Sequence, residues 1–159
     1  MANVLQKLLG IDFAEYHSTQ KHELGIEVDC NDGTRRRYVK AGAAVTANNA
    51  LKIDYANGPH VVIHTAAVAE VIAGIAPYNI TSGYYGWIIV KGPYATANVA
   101  TPSAGDKLGT TATAGRLGAL DASSTVTQAE ARAAIAAAAG VGVLCRTNAS
   151  SNLSAVTLV

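Results

Sequence analysis

The sequence predicts a mainly β protein: a β-sandwich or barrel of short strands, with one Ala-rich helix and an N-terminal arm. Three observations carry the prediction. Tyr84 to Val90 is a bulky, β-branched and aromatic run apolar on both faces. Leu24 to Lys40 alternates around an Asn31-Asp32-Gly33 turn, as a hairpin does. Further on, short apolar runs recur at spacings near ten residues with Gly and Asn turn signals between them.

Taken in order, residues 1–22 differ from the rest, and residues 23–159 are read as one β-rich domain. Val4, Leu5, Leu8 and Leu9 line one side of a short helix that Gly10 is placed to end, and Ile11 to Gln20 has no clean period. Two readings fit: a mobile arm that orders on a partner, or a terminal helix packed on its own domain.

In the hairpin, Leu24, Ile26, Val28 and Cys30 alternate with Gly25, Glu27 and Asp29. A two-residue loop at Asp32-Gly33 would set Arg35 and Arg37 on the apolar face. A three-residue loop with Gly33 left-handed sets Arg35 opposite Asp29 and Arg37 opposite Glu27, which is the preferred register. Arg35 to Arg37 is then a solvated, internally paired strand face ahead of a binding patch.

The chain also echoes itself. Thr46 to Leu51 followed by Gly58 aligns with Ser103 to Leu108 followed by Gly115, and Ala73-Gly74-Ile75 answers Val141-Gly142-Val143. This is either a duplication, with halves at about 38–92 and 93–159, or chance likeness between Ala- and Gly-rich segments. The second half is longer by a stretch where Thr127 and Glu130 form a capping box and Gly140 a stop, so a helix is expected from about Gln128 to Ala139. Ile135 is its one large apolar residue, and such a helix needs tertiary support.

Asn79-Ile-Thr-Ser-Gly83 is turn chemistry, and Gly92-Pro93 punctuates the strand after it. With a period of two, Tyr85, Trp87 and Ile89 share one face and Tyr84, Gly86, Ile88 and Val90 the other. A strand of this kind is covered twice, once by its own core and once by a second sheet or a neighbouring subunit. Tyr85 and Trp87 are therefore candidate interface residues, with Val4, Leu5, Leu8 and Leu9 a second candidate set.

Composition bounds the function. The net charge is +1 with 14% charged residues, so the basic excess of a strong nucleic-acid binder is missing. No apolar run reaches membrane-spanning length, and the N-terminus lacks the pattern of an export signal. Of the apolar residues 31 are Ala, which makes the core thin for the length and favours burial by association. Cys30 and Cys145 read as small hydrophobes.

Chemistry-bearing patterns are sparse. His60 and His64 fall in a β-branched run, where positions four apart lie roughly 13 Å from each other and cannot share an ion. His17 and His22 lack a matching ligand spacing. There is no nucleophile elbow, zinc-protease motif or phosphate loop, and the carboxylates are scattered, with Asp106 and Asp121 in turn-like settings. Spacing in sequence does not exclude a site built from distant residues, yet the expectation is a non-enzymatic protein without cofactor or metal. Asn79-Ile-Thr81 and Asn148-Ala-Ser150 match the glycosylation triplet and are read as polar turns.

Ala73-Gly-Ile-Ala76, Asn79-Ile-Thr-Ser-Gly83 and Tyr85-Gly-Trp-Ile-Ile-Val-Lys-Gly92 together resemble the pattern in small head decoration, or capsid cement, proteins of tailed bacteriophages. Val39 to Ala47 upstream, and Gly105-Asp-Lys-Leu108 with Thr113-Ala-Gly115 downstream, fit the same pattern, so the likeness spans about residues 38–158. The resemblance implies a virion protein made in the host cytoplasm. It would bind the outside of a capsid with the major capsid protein as partner, assemble as a homotrimer and stabilise contacts between capsid subunits. A tail-fibre or adhesin-type module that uses exposed tyrosines for a surface ligand is the alternative.

Overall fold

The computed structural model describes residues 11–68, 70–100, 107–119, 132–138 and 141–146, and these form ten strands. In chain order they are β1 (Glu27–Asp29), β2 (Arg35–Ala41), β3 (Ala50–Ile53), β4 (Val61–His64), β5 (Gly74–Ile75), β6 (Tyr85–Tyr94), β7 (Lys107–Thr110), β8 (Leu117–Ala119), β9 (Arg132–Ala138) and β10 (Val141–Arg146). Strands β2, β4, β3, β5 and β6 hydrogen-bond in that order, and β6 pairs back onto β2, which closes a five-strand barrel. Closure leaves those strands without a free edge. One pairing, β2 with β4, is parallel.

The Asp-Gly turn sets the first hairpin as its sequence dictates. Cys30 N donates to Thr34 O at 2.7 Å across a three-residue loop, and Gly33 takes φ +80°, where a side chain is strained. The register comes out with Asp29 opposite Arg35 and Glu27 opposite Arg37.

Strand β6 is longer than its apolar run and serves two sheets. Its first half closes the barrel against β2 and β5, while Gly92 to Tyr94 pairs with β10. From there an outer sheet continues through β9, β7 and β8. Gly92 does not end the strand. It bends it at φ +100°, pressed so close to the β1–β2 turn that a Cβ would lie 2.4 Å from Gly33 O.

The two faces of β6 divide as the period of two requires. Ile88 and Val90 enter the barrel core with Val39, Ala41, Val45, Leu51, Val62 and Ile80. Facing outward, Ile89 is buried with Ile72, Ile75, Leu108 and Leu117, and Trp87 with Phe13 and Tyr38. The second cover is thus supplied by the chain itself. The outer sheet covers one end of the strand and the N-terminal segment covers the other.

Two expectations are revised. The helix expected over Gln128 to Ala139 is absent where the structure describes that stretch: Arg132–Ala138 is β9, paired with β10 and β7. Alanine favours helix when local energies decide, but Ile135 alone offers a helix little to bury, and a strand here gains two ladders of backbone hydrogen bonds. Residues 11–22 are not a free arm. Phe13 is buried, and His17 exchanges backbone hydrogen bonds of 2.8 Å with Tyr85. As for the repeat, β3–β4 and β7–β8 are both antiparallel pairs around a positive-φ glycine, Gly58 and Gly115. Their registers differ, since Leu51 faces His64 whereas Leu108 faces Ala119.

Candidate interaction surface

The basic strand is neutralised where it stands. Arg35 grips Asp29 with two hydrogen bonds, Nε to Oδ1 at 2.6 Å and the second nitrogen to Oδ2 at 2.9 Å, and Arg37 binds the Glu27 carboxylate. The Arg35 hydrogen bond holds the Asp29 carboxyl below its ordinary range. Arg36 turns the other way. It reaches Asp32 at 3.2 Å, donates to Phe13 O at 3.3 Å and lies over the Phe13 ring at 5.4 Å. This triplet is therefore part of the framework that fastens the N-terminal segment, and it leaves little charge to offer a partner.

A different stretch exposes two valines. Residues 66–68 leave the barrel after β4, and the Glu70 carboxylate gathers them: it accepts from Ala66 N at 2.5 Å and Ala67 N at 3.0 Å and pairs with Lys52 Nζ of β3. Glu70 N is in turn 2.9 Å from Thr110 Oγ1 of β7. Burial raises the Glu70 carboxyl, but Lys52 and the two amides outweigh it, and the net shift is downward. On this pinned loop Val68 is 70% and Val71 52% exposed. The hydrogen-bonded base under them fixes where these two valines stand.

Tyrosines form a second exposed group. Tyr16, 47% exposed, has its ring centroid 6.4 Å from that of Tyr78 and 6.0 Å from that of Tyr84. Tyr55, at 77%, stands at the tip of the β3–β4 turn. The Tyr78 hydroxyl faces inward, donating to Glu15 O at 3.0 Å and accepting from Trp87 N at 2.7 Å. Burial pushes its pKa up to about 12.

The expected interface residues fare differently. Trp87 is fully buried in the single chain, with Phe13 edge-on at 4.8 Å and Tyr38 at 5.1 Å. It is a core residue, and the reason is that Phe13 fills the place a neighbouring subunit was expected to take. Tyr85 is half-buried, its ring stacked on Tyr38 at 6.3 Å with Lys40 Nζ 5.8 Å above it. Val4, Leu5, Leu8 and Leu9 lie outside the described residues.

The histidines are placed separately too. The His60 ring packs against Gly25, and His64 Nε2 accepts from Thr46 N at 3.0 Å. Among the described residues no three His, Cys, Asp or Glu side chains converge as a metal site would require. Cys30 is half-buried beside the Trp87 cluster.

Asn48 joins the barrel to the chain beyond β6, a role that its place in a polar turn did not reveal. At φ +68° it points its side-chain oxygen at the Tyr94 hydroxyl, 2.6 Å away, and at Thr96 Oγ1, 3.1 Å away. Asn98 N donates to Asn48 O, and Asn98 Nδ2 to Asn49 Oδ1 at 2.9 Å. The sequence signal was a non-glycine residue of the type that tolerates the left-handed region, but its partners lie nearly fifty positions downstream.

No protein-family model matches the chain, and no curated protein sequence matches it.

Proposed function

We propose that this chain is a structural subunit of a bacteriophage head, which binds the outside of the capsid and stabilises contacts between major capsid subunits as a homotrimer. One observation carries the reading. The residues that resemble capsid cement proteins, Ala73–Ala76 and Tyr85–Gly92, are those that form β5 and the strand shared by both sheets, so the likeness falls on the framework of the fold. The surface is in keeping with it. Val68 and Val71 stand out from a loop fixed by Glu70, while the arginine strand is internally paired, which suits docking by shape and apolar burial more than by charge.

The test is to add the purified protein to heads that lack it and to measure both occupancy and the temperature at which the heads release DNA. Binding of the native assembly raises that temperature by mass action, and it persists at about 1 M salt, where screening shortens to about 3 Å. Full occupancy with an unchanged release temperature removes the stabilising role, and failure to bind removes the reading.

The exposed Tyr55 and the Tyr16 group favour a second reading, a tail-fibre or adhesin-type module for a surface ligand. Binding to cells in place of heads, lost in Tyr55→Ala, would select it.

A further inference from the structure

The 46–50 turn, the end of β4 and the turn before β8 meet along one seam. Ala50 N donates to Gly115 O at 2.8 Å, Gly115 N to Thr65 O at 2.8 Å, and Thr65 N back to Ala50 O at 3.2 Å. On the same seam Asn98 is tied to Asn48 and Asn49, and Leu117 N donates to Asn98 O at 2.9 Å. Through these bonds the segment that carries β8 hangs on the 46–50 turn of the barrel.

His64 sits under that turn. Its Nε2 accepts from Thr46 N at 3.0 Å and lies 3.5 Å from Asn49 Nδ2, so both polar neighbours of this nitrogen can only donate to it. A ring protonated on Nδ1 alone satisfies the geometry. An imidazolium does not, because it turns an N–H toward two other N–H groups. Burial accordingly lowers the ring's pKa, with no charged side chain contributing. The charged residues on the elements around it are Lys52 of β3 and Glu70, which pair with each other, Lys40 of β2, which lies over the Tyr85 ring, and the exposed Arg116 next to Gly115; residues 43–49 contribute none.

We propose that His64 is an acid-weakened latch: neutral, it accepts the Thr46 amide beside Asn49, and protonated, it gives up that bond and weakens the tie by which Asn48 and Asn49 hold Asn98. The barrel and the turn stay in place, since the strand pairings and the bonds from Ala47 N to Asn79 Oδ1, Asn48 N to Ala76 O and Ala76 N to Asn49 O do not titrate. Mild acid would thus alter the outer layer before it unfolds the core.

Amide hydrogen exchange, corrected for the intrinsic rate at each pH, tests the proposal at about pH 7.5 and about pH 5. In the wild-type chain, protection at the Thr46 and Asn98 amides falls by about tenfold at the lower pH, the change expected when one ordinary hydrogen bond is lost. The variant His64→Gln keeps an acceptor oxygen that does not titrate, and its protection at these amides is equal at the two pH values. Equal loss in both proteins assigns the effect to another group and overturns the proposal. Should the variant fail to fold, the wild type alone decides by NMR: the midpoint of the protection loss coincides with the titration midpoint of the His64 ring, and separate midpoints refute the latch.

Discussion

Replacing Tyr78 with Phe removes a single oxygen, yet that oxygen holds two parts of the molecule together. It accepts from Trp87 N in the middle of β6 and donates to Glu15 O in the N-terminal segment. Glu15 is exposed and its carbonyl can turn to water. Trp87 is fully buried, so its amide has no such recourse. A buried donor left unpaired costs about 1–3 kcal/mol, and we expect Tyr78→Phe to lose about 2 kcal/mol. For a chain of this length that lowers Tm by roughly 4–8 °C. Trp87 is the one tryptophan of the sequence, so its fluorescence reports both on global unfolding and on water reaching the cluster beneath Phe13. There is an independent signature in alkali. The folded hydroxyl keeps its proton up to about 12 while the unfolded one ionises near 10, so the wild type loses stability as pH rises through that window. The Phe variant loses that part of the dependence. A variant as stable as the wild type, with the same alkaline profile, would refute the assignment of Tyr78 as the tie between the segment and the strand.

Three further outcomes rest on the same set of contacts. Phe13→Ala should cost about 3–5 kcal/mol and shift the Trp87 emission to the red, measured by denaturant titration and fluorescence. Asn48→Ala should cost about 2–3 kcal/mol through the lost bond to the half-buried Tyr94 hydroxyl and a strained left-handed alanine, the exposed Thr96 hydroxyl turning to water; Asn48→Gly, which relieves only the strain, should recover part of that in thermal unfolding. Glu70→Gln tests the pinned loop by its pH dependence. Because the folded carboxyl lies below its ordinary value of 4.5, its contribution is present above that pH and is lost as pH falls through the depressed value; the variant should show a smaller loss of Tm in that acidic range.

The legibility of this molecule in its sequence divides along a physical line. The β1–β2 register was readable because everything that sets it is local: an Asp-Gly turn, a left-handed glycine and charges of opposite sign at matched positions. The two apolar faces of β6 were readable for the same reason. Their cover was not, since Phe13 lies in a segment without period and reaches Trp87 across more than seventy positions. The alanines of 132–138 misled because helix propensity is a local quantity, whereas β9 exists through its partners on both sides. In the candidate surface, Val68 and Val71 gave no signal, because exposed valines in sequence look like those of any strand. Only the Glu70 base shows them to be held outward.

The pairing of β2 with β6 sets a schedule for the chain as it is made. Tyr38 and Trp87 face each other across the closing seam of the barrel with roughly fifty residues between them. A ribosome adds about 5–20 residues per second, so the finished β1–β2 hairpin waits about 3–10 seconds for the strand that closes the barrel. During that interval Tyr38 and Val39 have neither their barrel neighbours nor Trp87, and β2 has an open edge. The paired Arg35 and Arg37 are already complete within the hairpin, and they give that waiting edge a charged fringe of the kind that discourages pairing with the wrong chain.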